Sequence, residues 1–257
     1  MKRVVKKEEV KAAILSQVMP NIGGPSSQKR SILNGVVQSI VLYGAPVWQR
    51  AMHKKRYRAM VDGVQRKSLL RVASAYRTVS VAAVQVVTAT PPLSLLAEER
   101  TYLYETQNGH QPEIRQVARE RTICRWQTEW EENTVTAQWT KRLIPVLDGW
   151  VKCKHRSTDY FLTQALTGHG PFRSYRTRIG KIEDERCLHC GTVDTVEHTL
   201  FECNRWEIYR QETYGELGLE ISAENMTREM TASESKWKII QRMVNKILRE
   251  KEQEERG

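Results

Sequence analysis

Three cysteines and a histidine crowd into one short stretch. Cys187-Leu188-His189-Cys190 is followed after seven residues by His198, and after four more by Cys203. Two cysteines separated by two residues form a turn that aims both sulfurs at one point, and Gly191 directly after them permits the tight backbone such a turn needs. His198 and Cys203 return from a second arm and complete a tetrahedral set of three thiolates and one imidazole. Zinc suits that set, because it favours tetrahedral sulfur and nitrogen ligands and has no redox chemistry. Protein fills all four positions, so no place remains for an activated water and the ion is expected to be structural. A module this short buries little apolar surface, and metal binding would contribute on the order of 10 kcal/mol toward folding it. The competing reading is a group of incidental free thiols. His189 lies inside the turn and is expected to point away, and His169 is a more distant rival ligand. Cys124 and Cys153 read as small buried residues. Five cysteines is an odd count without the look of a disulfide framework, and it fits a reducing compartment.

Nearly everything else reads as helix. Ile32, Leu33, Val36, Val37, Ile40 and Val41 recur at three- and four-residue spacing and predict one apolar stripe, capped by Ser26 or Ser27 and stopped near Tyr43-Gly44-Ala45-Pro46. A second helix is expected from about Met52 to Ala73, with Tyr57, Met60, Val61, Val64 and Val72 inward. Pro91-Pro92 is a break, and a third helix through Leu95, Leu96, Leu103 and Tyr104 follows. Pro112 suits a first helical turn, and Trp126, Trp130 and Trp139 read as packing anchors, with base stacking as the alternative. Pro145 marks a kink or stop. From Ser233 on, Trp237, Ile240, Val244, Ile247 and Leu248 share one side of a helix whose other side mixes Lys, Arg and Glu. No apolar stretch approaches the roughly 20 residues needed to span a bilayer, and Met1–Glu9 lacks the apolar core of a secretory signal, which points to a soluble intracellular chain.

Charge divides the 257 residues unequally. Residues 1–80 carry 16 Lys+Arg against three Asp+Glu, whereas the other 177 carry 25 against 27. Such clustering suits a polyanion, either nucleic acid or an anionic membrane, unless it is merely a solvated helix face. The candidate contacts are Lys54, Lys55, Arg56, Arg58, Arg66, Lys67, Arg71 and Arg77, and, beside the Cys/His group, Arg173, Arg176, Arg178 and Lys181. Phe172 and Tyr175 interleave with the latter. They would either stack on unpaired bases or pack inward. The basic helices lack a Trp/Phe-rich insertion face, which argues against a membrane.

Taken in order, these features resemble a known family. Val41-Leu-Tyr43-Gly44-Ala-Pro-Val-Trp48, Gln65-Arg66, Leu70-Arg71-Val72, Ala75-Tyr76-Arg77-Thr78-Val79-Ser80 and Pro91-Pro92-Leu93 resemble the segment after the polymerase core in Pol proteins of non-LTR retrotransposons, of the jockey-like and ribosomal-DNA-inserting type-1 kind. Leu166-Thr-Gly168-His169-Gly170-Pro-Phe172, Arg186-Cys187, Cys190-Gly191 and Asp194-Thr-Val-Glu197-His198-Thr-Leu-Phe201-Glu-Cys203 resemble the Cys-Cys-His-Cys region closing those proteins. The resemblance runs from about residue 28 to 215. Together with the helical pattern above, it points to a mainly α fold with four parts: by resemblance a basic helical thumb-like module over 1–107 and a zinc-knuckle nucleic-acid-binding module over 151–215, and by residue pattern a helical linker over 108–150 and a C-terminal amphipathic helix over 216–257.

The implied parent is a reverse transcriptase with an endonuclease, and the implied partners are RNA, DNA and the remainder of the Pol protein, in the nucleus and also in the cytoplasm. The five aspartates, Asp62, Asp148, Asp159, Asp184 and Asp194, include no adjacent pair, and none follows a proline. Neither a two-metal polymerase site nor a restriction-like nuclease site is therefore expected in this segment, and Mg would belong to a polymerase core outside it. The competing expectation is a zinc-stabilised adaptor that binds a protein through its C-terminal helix.

Overall fold

The computed structural model describes residues 24–106 and 111–255. Five of the 16 cations of residues 1–80 (Lys2, Arg3, Lys6, Lys7 and Lys11) and the N-terminal leader reading lie outside the described residues. No strand occurs among the described residues, and the fold class is mainly α as the sequence implies. The helices are α1 (Ser27–Leu42), α2 (Ala45–Trp48), α3 (Lys55–Val72), α4 (Val81–Val87), α5 (Leu93–Glu105), α6 (Pro112–Glu132), α7 (Gln138–Leu143), α8 (Leu147–Lys152), α9 (Tyr160–Thr167), α10 (Arg173–Arg178), α11 (Glu207–Leu217), α12 (Met226–Ala232) and α13 (Glu234–Glu254).

Local chemistry sets the boundaries. Ser26, Ser80, Asp159 and Ser233 cap α1, α4, α9 and α13 by accepting a hydrogen bond from a backbone N–H of the first turn. Pro112 opens α6 as expected, because a first-turn N–H has no partner to lose. Pro46 behaves likewise: it ends the run from α1 and also starts α2, and a 3₁₀ turn over Gln49–His53 then delays α3 to Lys55. Pro145 separates α7 from α8.

The main core draws on all four sequence segments. Leu69, Val84 and Val87 come from the first, Trp126, Trp130 and Trp150 from the second, Leu162, Phe172 and Leu200 from the third, and Trp237, Ile240 and Val244 from the fourth. Tryptophan does much of the anchoring. The indole N–H groups of Trp130, Trp139, Trp150 and Trp237 donate to the carbonyls of Ile144, Ala165, Val86 and Ser157, so buried rings keep their one polar group paired. A smaller apolar cluster joins Val41, Leu42, Ala45 and Met52 to Val61, Leu93, Leu96 and Ala97.

Several expected faces are corrected. On α1, Ile32 and Val36 are 70% and 56% exposed, while Arg30 and Asn34 are buried. The burial follows from partners: the Arg30 guanidinium donates to the carbonyls of Pro25 and Arg71, and Asn34 accepts from Ser68. Tyr57 and Met60 are half-buried, whereas Gln65, Ser68 and Leu69 line the inner face of α3. Tyr104 points to solvent, Cys124 is exposed and Cys153 is half-buried. Trp237, Ile240, Val244, Ile247 and Leu248 are all buried within the chain itself. The adaptor reading thus loses the apolar face it needed. No single described helix is long and apolar enough to cross a membrane. The bent pair α1 with the Ala45–His53 segment has that length and composition, yet Val37, Val41, Ala45 and Met52 in it are buried.

Candidate metal centre

Cys187 and Cys190 sit on a miniature hairpin. Arg186 pairs with Val193 in an isolated antiparallel bridge, the Cys187 N–H donates to Thr192 O at 2.7 Å, and the Gly191 N–H donates to Cys187 O at 3.0 Å. Gly191 has a φ of +73°, the left-handed region that glycine enters without steric cost.

The second arm solves a geometric problem. Residues five apart on an α-helix lie about 140° apart around its axis, which would aim His198 and Cys203 in different directions. The chain instead forms a π-turn over His198–Glu202, closed by the Cys203 N–H donating to His198 O at 2.8 Å. The wider turn brings residues five apart onto one side.

The four donor atoms lie within 4.8 Å of one another. Cys187 Sγ and Cys203 Sγ are 3.8 Å apart, and Cys190 Sγ and His198 Nε2 are 3.2 Å apart. A tetrahedral ion with metal–sulfur bonds of about 2.3 Å has sulfur–sulfur edges of about 3.8 Å, so the cluster can hold a metal ion. Cys187, His198 and Cys203 are buried and Cys190 opens to the surface. The Thr192 backbone N–H pulls the Cys190 thiol below its ordinary range, while burial pushes the Cys203 thiol up to about 11 against the opposing Arg205 backbone N–H. A bound dication would reverse the effect at Cys203, since coordinated thiols are deprotonated outright. On the outer side of the imidazole, His198 Nδ1 lies 3.5 Å from the Glu202 carboxylate, the arrangement that orients a ligating ring.

Both rival histidines are occupied elsewhere. His189 Nε2 contacts Glu254 at 3.0 Å, and His169 Nδ1 contacts Thr78 Oγ1 at 3.0 Å. Behind the cluster, Asp194 is fully buried. Its carboxylate accepts from the Arg173 N–H, from Thr199 Oγ1 and from Lys251 Nζ, the last at 2.8 Å. Glu255 faces Arg173, Arg176 and Lys251, and Arg205 reaches Glu254 at 2.8 Å. The last turn of α13 therefore grips both arms of the knuckle.

The sequence reading did not single out Asp194, Lys251 and Glu255. One signal was available: Lys251 continues the stripe Trp237, Ile240, Val244, Ile247, and a cation on an apolar face needs a buried carboxylate.

The proposed polyanion contacts divide in two. Lys54, Lys55, Arg56, Lys67, Arg71, Arg77, Arg178 and Lys181 are exposed. The other four have partners within the chain. Arg58 pairs with Glu129 at 2.6 Å, Arg66 donates to the carbonyls of Val79 and Arg77, and Arg173 and Arg176 meet Glu255. Phe172 and Tyr175 are buried, so they pack and do not stack on bases. Among basic residues predicted to face outward near the knuckle, half serve its cohesion.

Fold and cluster together define an α-helical protein with a Cys3His cluster that can hold a metal ion. The chain is 28% identical over 196 residues to a 115 kDa protein of the type-1 retrotransposable element R1DM of Drosophila melanogaster, covering 68% of this chain and 19% of the relative. It is 24% identical over 198 residues to a retrovirus-related Pol polyprotein from type-1 element R1 4 of Nasonia vitripennis, covering 71% and 50%. A Pol polyprotein from the R1 element of Bradysia coprophila is 25% identical over 214 residues, covering 76% and 21%. The chain is homologous to the Pol polyproteins of R1 type-1 retrotransposable elements, and it spans at most about half the length of these three relatives. No family model and no solved structure matches it.

Proposed function

We propose that this chain is the nucleic-acid-handling C-terminal region of a non-LTR retrotransposon Pol protein, with one structural zinc ion on Cys187, Cys190, His198 and Cys203. The parent protein would copy element RNA into DNA at a nicked chromosomal target, with its polymerase and nuclease centres outside this segment and its work in the nucleus. The observation carrying the reading is the convergence of the four ligand atoms to within 4.8 Å in a chain homologous to R1 Pol proteins. Zinc is supported by the tetrahedral edge length and by the softness of three thiolates.

The exposed cations Lys54, Lys55, Arg56, Lys67 and Arg71 on and beside α3 supply a face that phosphates can approach. Contacts of this kind position a nucleic acid without reading its sequence. The test is a binding isotherm of the zinc-loaded chain with single-stranded RNA and duplex DNA at several salt concentrations. Affinity should fall steeply and linearly on a log–log scale, by about 0.7 to 0.9 per phosphate neutralised. No binding at low salt, or salt-independent binding, contradicts the reading.

A further inference from the structure

Two motif segments far apart in sequence meet at a seam beside α10. One is Ala75–Ser80, the link from α3 to α4; the other is the Gly168-His169-Gly170 turn after α9. The Thr78 hydroxyl joins them, 3.0 Å from His169 Nδ1 and 2.7 Å from Tyr175 Oη. The His169 ring lies over the Tyr175 ring with centroids 4.7 Å apart, and the Arg178 guanidinium sits 5.4 Å from the same Tyr175 centroid.

The turn is held rigidly. Gly168 has a φ of +69°, and a Cβ on Gly170 would come within 2.6 Å of the buried Gln164 side chain and 3.0 Å of Phe172. A side chain would be strained at Gly168 and crowded at Gly170, which favours glycine on both sides of His169. Burial and the neighbouring Arg178 lower its pKa to about 4, which leaves the imidazole neutral near pH 7. A neutral ring has one proton and one lone pair. If Tyr175 Oη–H donates to Thr78 and Thr78 donates to Nδ1, the ring proton rests on Nε2. That nitrogen makes no hydrogen bond within the described residues. Arg77, next to Thr78 in the chain, and Arg178, three residues after Tyr175, are both exposed.

We propose that this seam is a phosphodiester-binding site for a nucleic-acid backbone, with His169 Nε2–H as a neutral donor and the Arg77 and Arg178 guanidinia as its charged partners. The proposal rests on the nucleic-acid reading above and gives it a defined place just beyond the end of α3. A ring donor with exposed arginines close by in the sequence of both segments suits an anion with several acceptor oxygens. Donation from Tyr175 through Thr78 to Nδ1 would set this tautomer and make Thr78 and Tyr175 positioning residues.

The experiment uses the full zinc-loaded chain and a labelled single-stranded RNA of about 20 nucleotides, titrated from about 50 to about 200 mM salt. Arg77→Ala and Arg178→Ala should each flatten the salt slope by about 0.7 and weaken low-salt binding roughly three- to tenfold. His169→Ala should weaken binding, and His169→Gln, which keeps a donor, should recover part of it. Arg228→Ala, at an exposed site far along the chain, is the control and should leave the slope unchanged. Nitrogen-15 spectra of the histidines should show the Nε2–H tautomer at His169, shifting when RNA is added. Variants that melt like the parent yet bind RNA with the parental slope overturn the seam assignment and leave the wider reading intact. Absence of RNA binding by the parent chain overturns both. A response of His169 to inorganic phosphate with none to RNA overturns the nucleic-acid assignment.

Discussion

The knuckle with the end of α13 and the outer face of α3 use the same cations for opposite purposes. Around the knuckle, Arg173, Arg176, Arg205 and Lys251 turn toward Asp194, Glu254 and Glu255. On and beside α3, Lys54, Lys55, Arg56, Lys67 and Arg71 face solvent. The difference lies in the supply of carboxylates. Nine glutamates fall between residues 216 and 255, while residues 24–80 contain one acidic residue, Asp62. Arg58, on α3, reaches across to Glu129 on α6 for its partner. Charge count alone therefore does not separate the cations that serve cohesion from those that face solvent.

The comparison can be broken at its strongest point first. Cys187→Ser removes a buried ligand, and since structural zinc contributes on the order of 10 kcal/mol in small knuckles, the zinc content of the purified chain should drop to near zero and its thermal transition should fall or lose cooperativity. Zinc retained at one equivalent contradicts the ligand set. Lys251→Met is next. It leaves Asp194 as a buried carboxylate without its cation, which costs about 3–5 kcal/mol in urea unfolding. Loss below about 0.5 kcal/mol would show that the buried pair is not what ties α13 to the knuckle.

On the α3 side the largest effect concerns Asp62. Burial raises its pKa to about 6, opposed by Arg58 and assisted by Glu129. The folded state then binds a proton more tightly than the unfolded chain, so stability is greatest below the ordinary carboxylate pKa and declines as pH rises through about 4 to 6. Asp62→Asn should abolish that decline and stabilise the chain at pH 7 by on the order of 1–2 kcal/mol, measured by denaturation across pH. An unchanged pH profile would contradict it. Lys55→Ala should be smallest in stability, within about 0.5 kcal/mol, while still flattening the salt slope of RNA binding by about 0.7. A large stability loss there would mean that α3's cations serve cohesion after all.

Sequence spacing made the ligand set legible, because Cys-x2-Cys and Gly191 leave few alternatives for the first arm. It also made the inward face of α13 legible, where one apolar stripe runs for three turns. The faces of α1 were not legible: Arg30 and Asn34 displace Ile32 and Val36 from the interior because their partners, Arg71 O and Ser68, lie far along the chain. Periodicity records what one helix offers and is blind to what faces it. The same holds for the π-turn. Four residues between His198 and Cys203 look awkward on an α-helix, and only the closing hydrogen bond between them shows how they converge.

Four side chains converge on a point that one ion could occupy. Cobalt(II) titrated into the metal-free chain reports that geometry directly, through ligand-field bands whose intensity distinguishes tetrahedral from octahedral sites and thiolate-to-metal charge-transfer bands that scale with the number of sulfurs. The structure predicts saturation at one equivalent, intense tetrahedral bands and a three-thiolate charge-transfer signal, all lost in Cys187→Ser. Weak octahedral bands, or a titration without an endpoint, would contradict it.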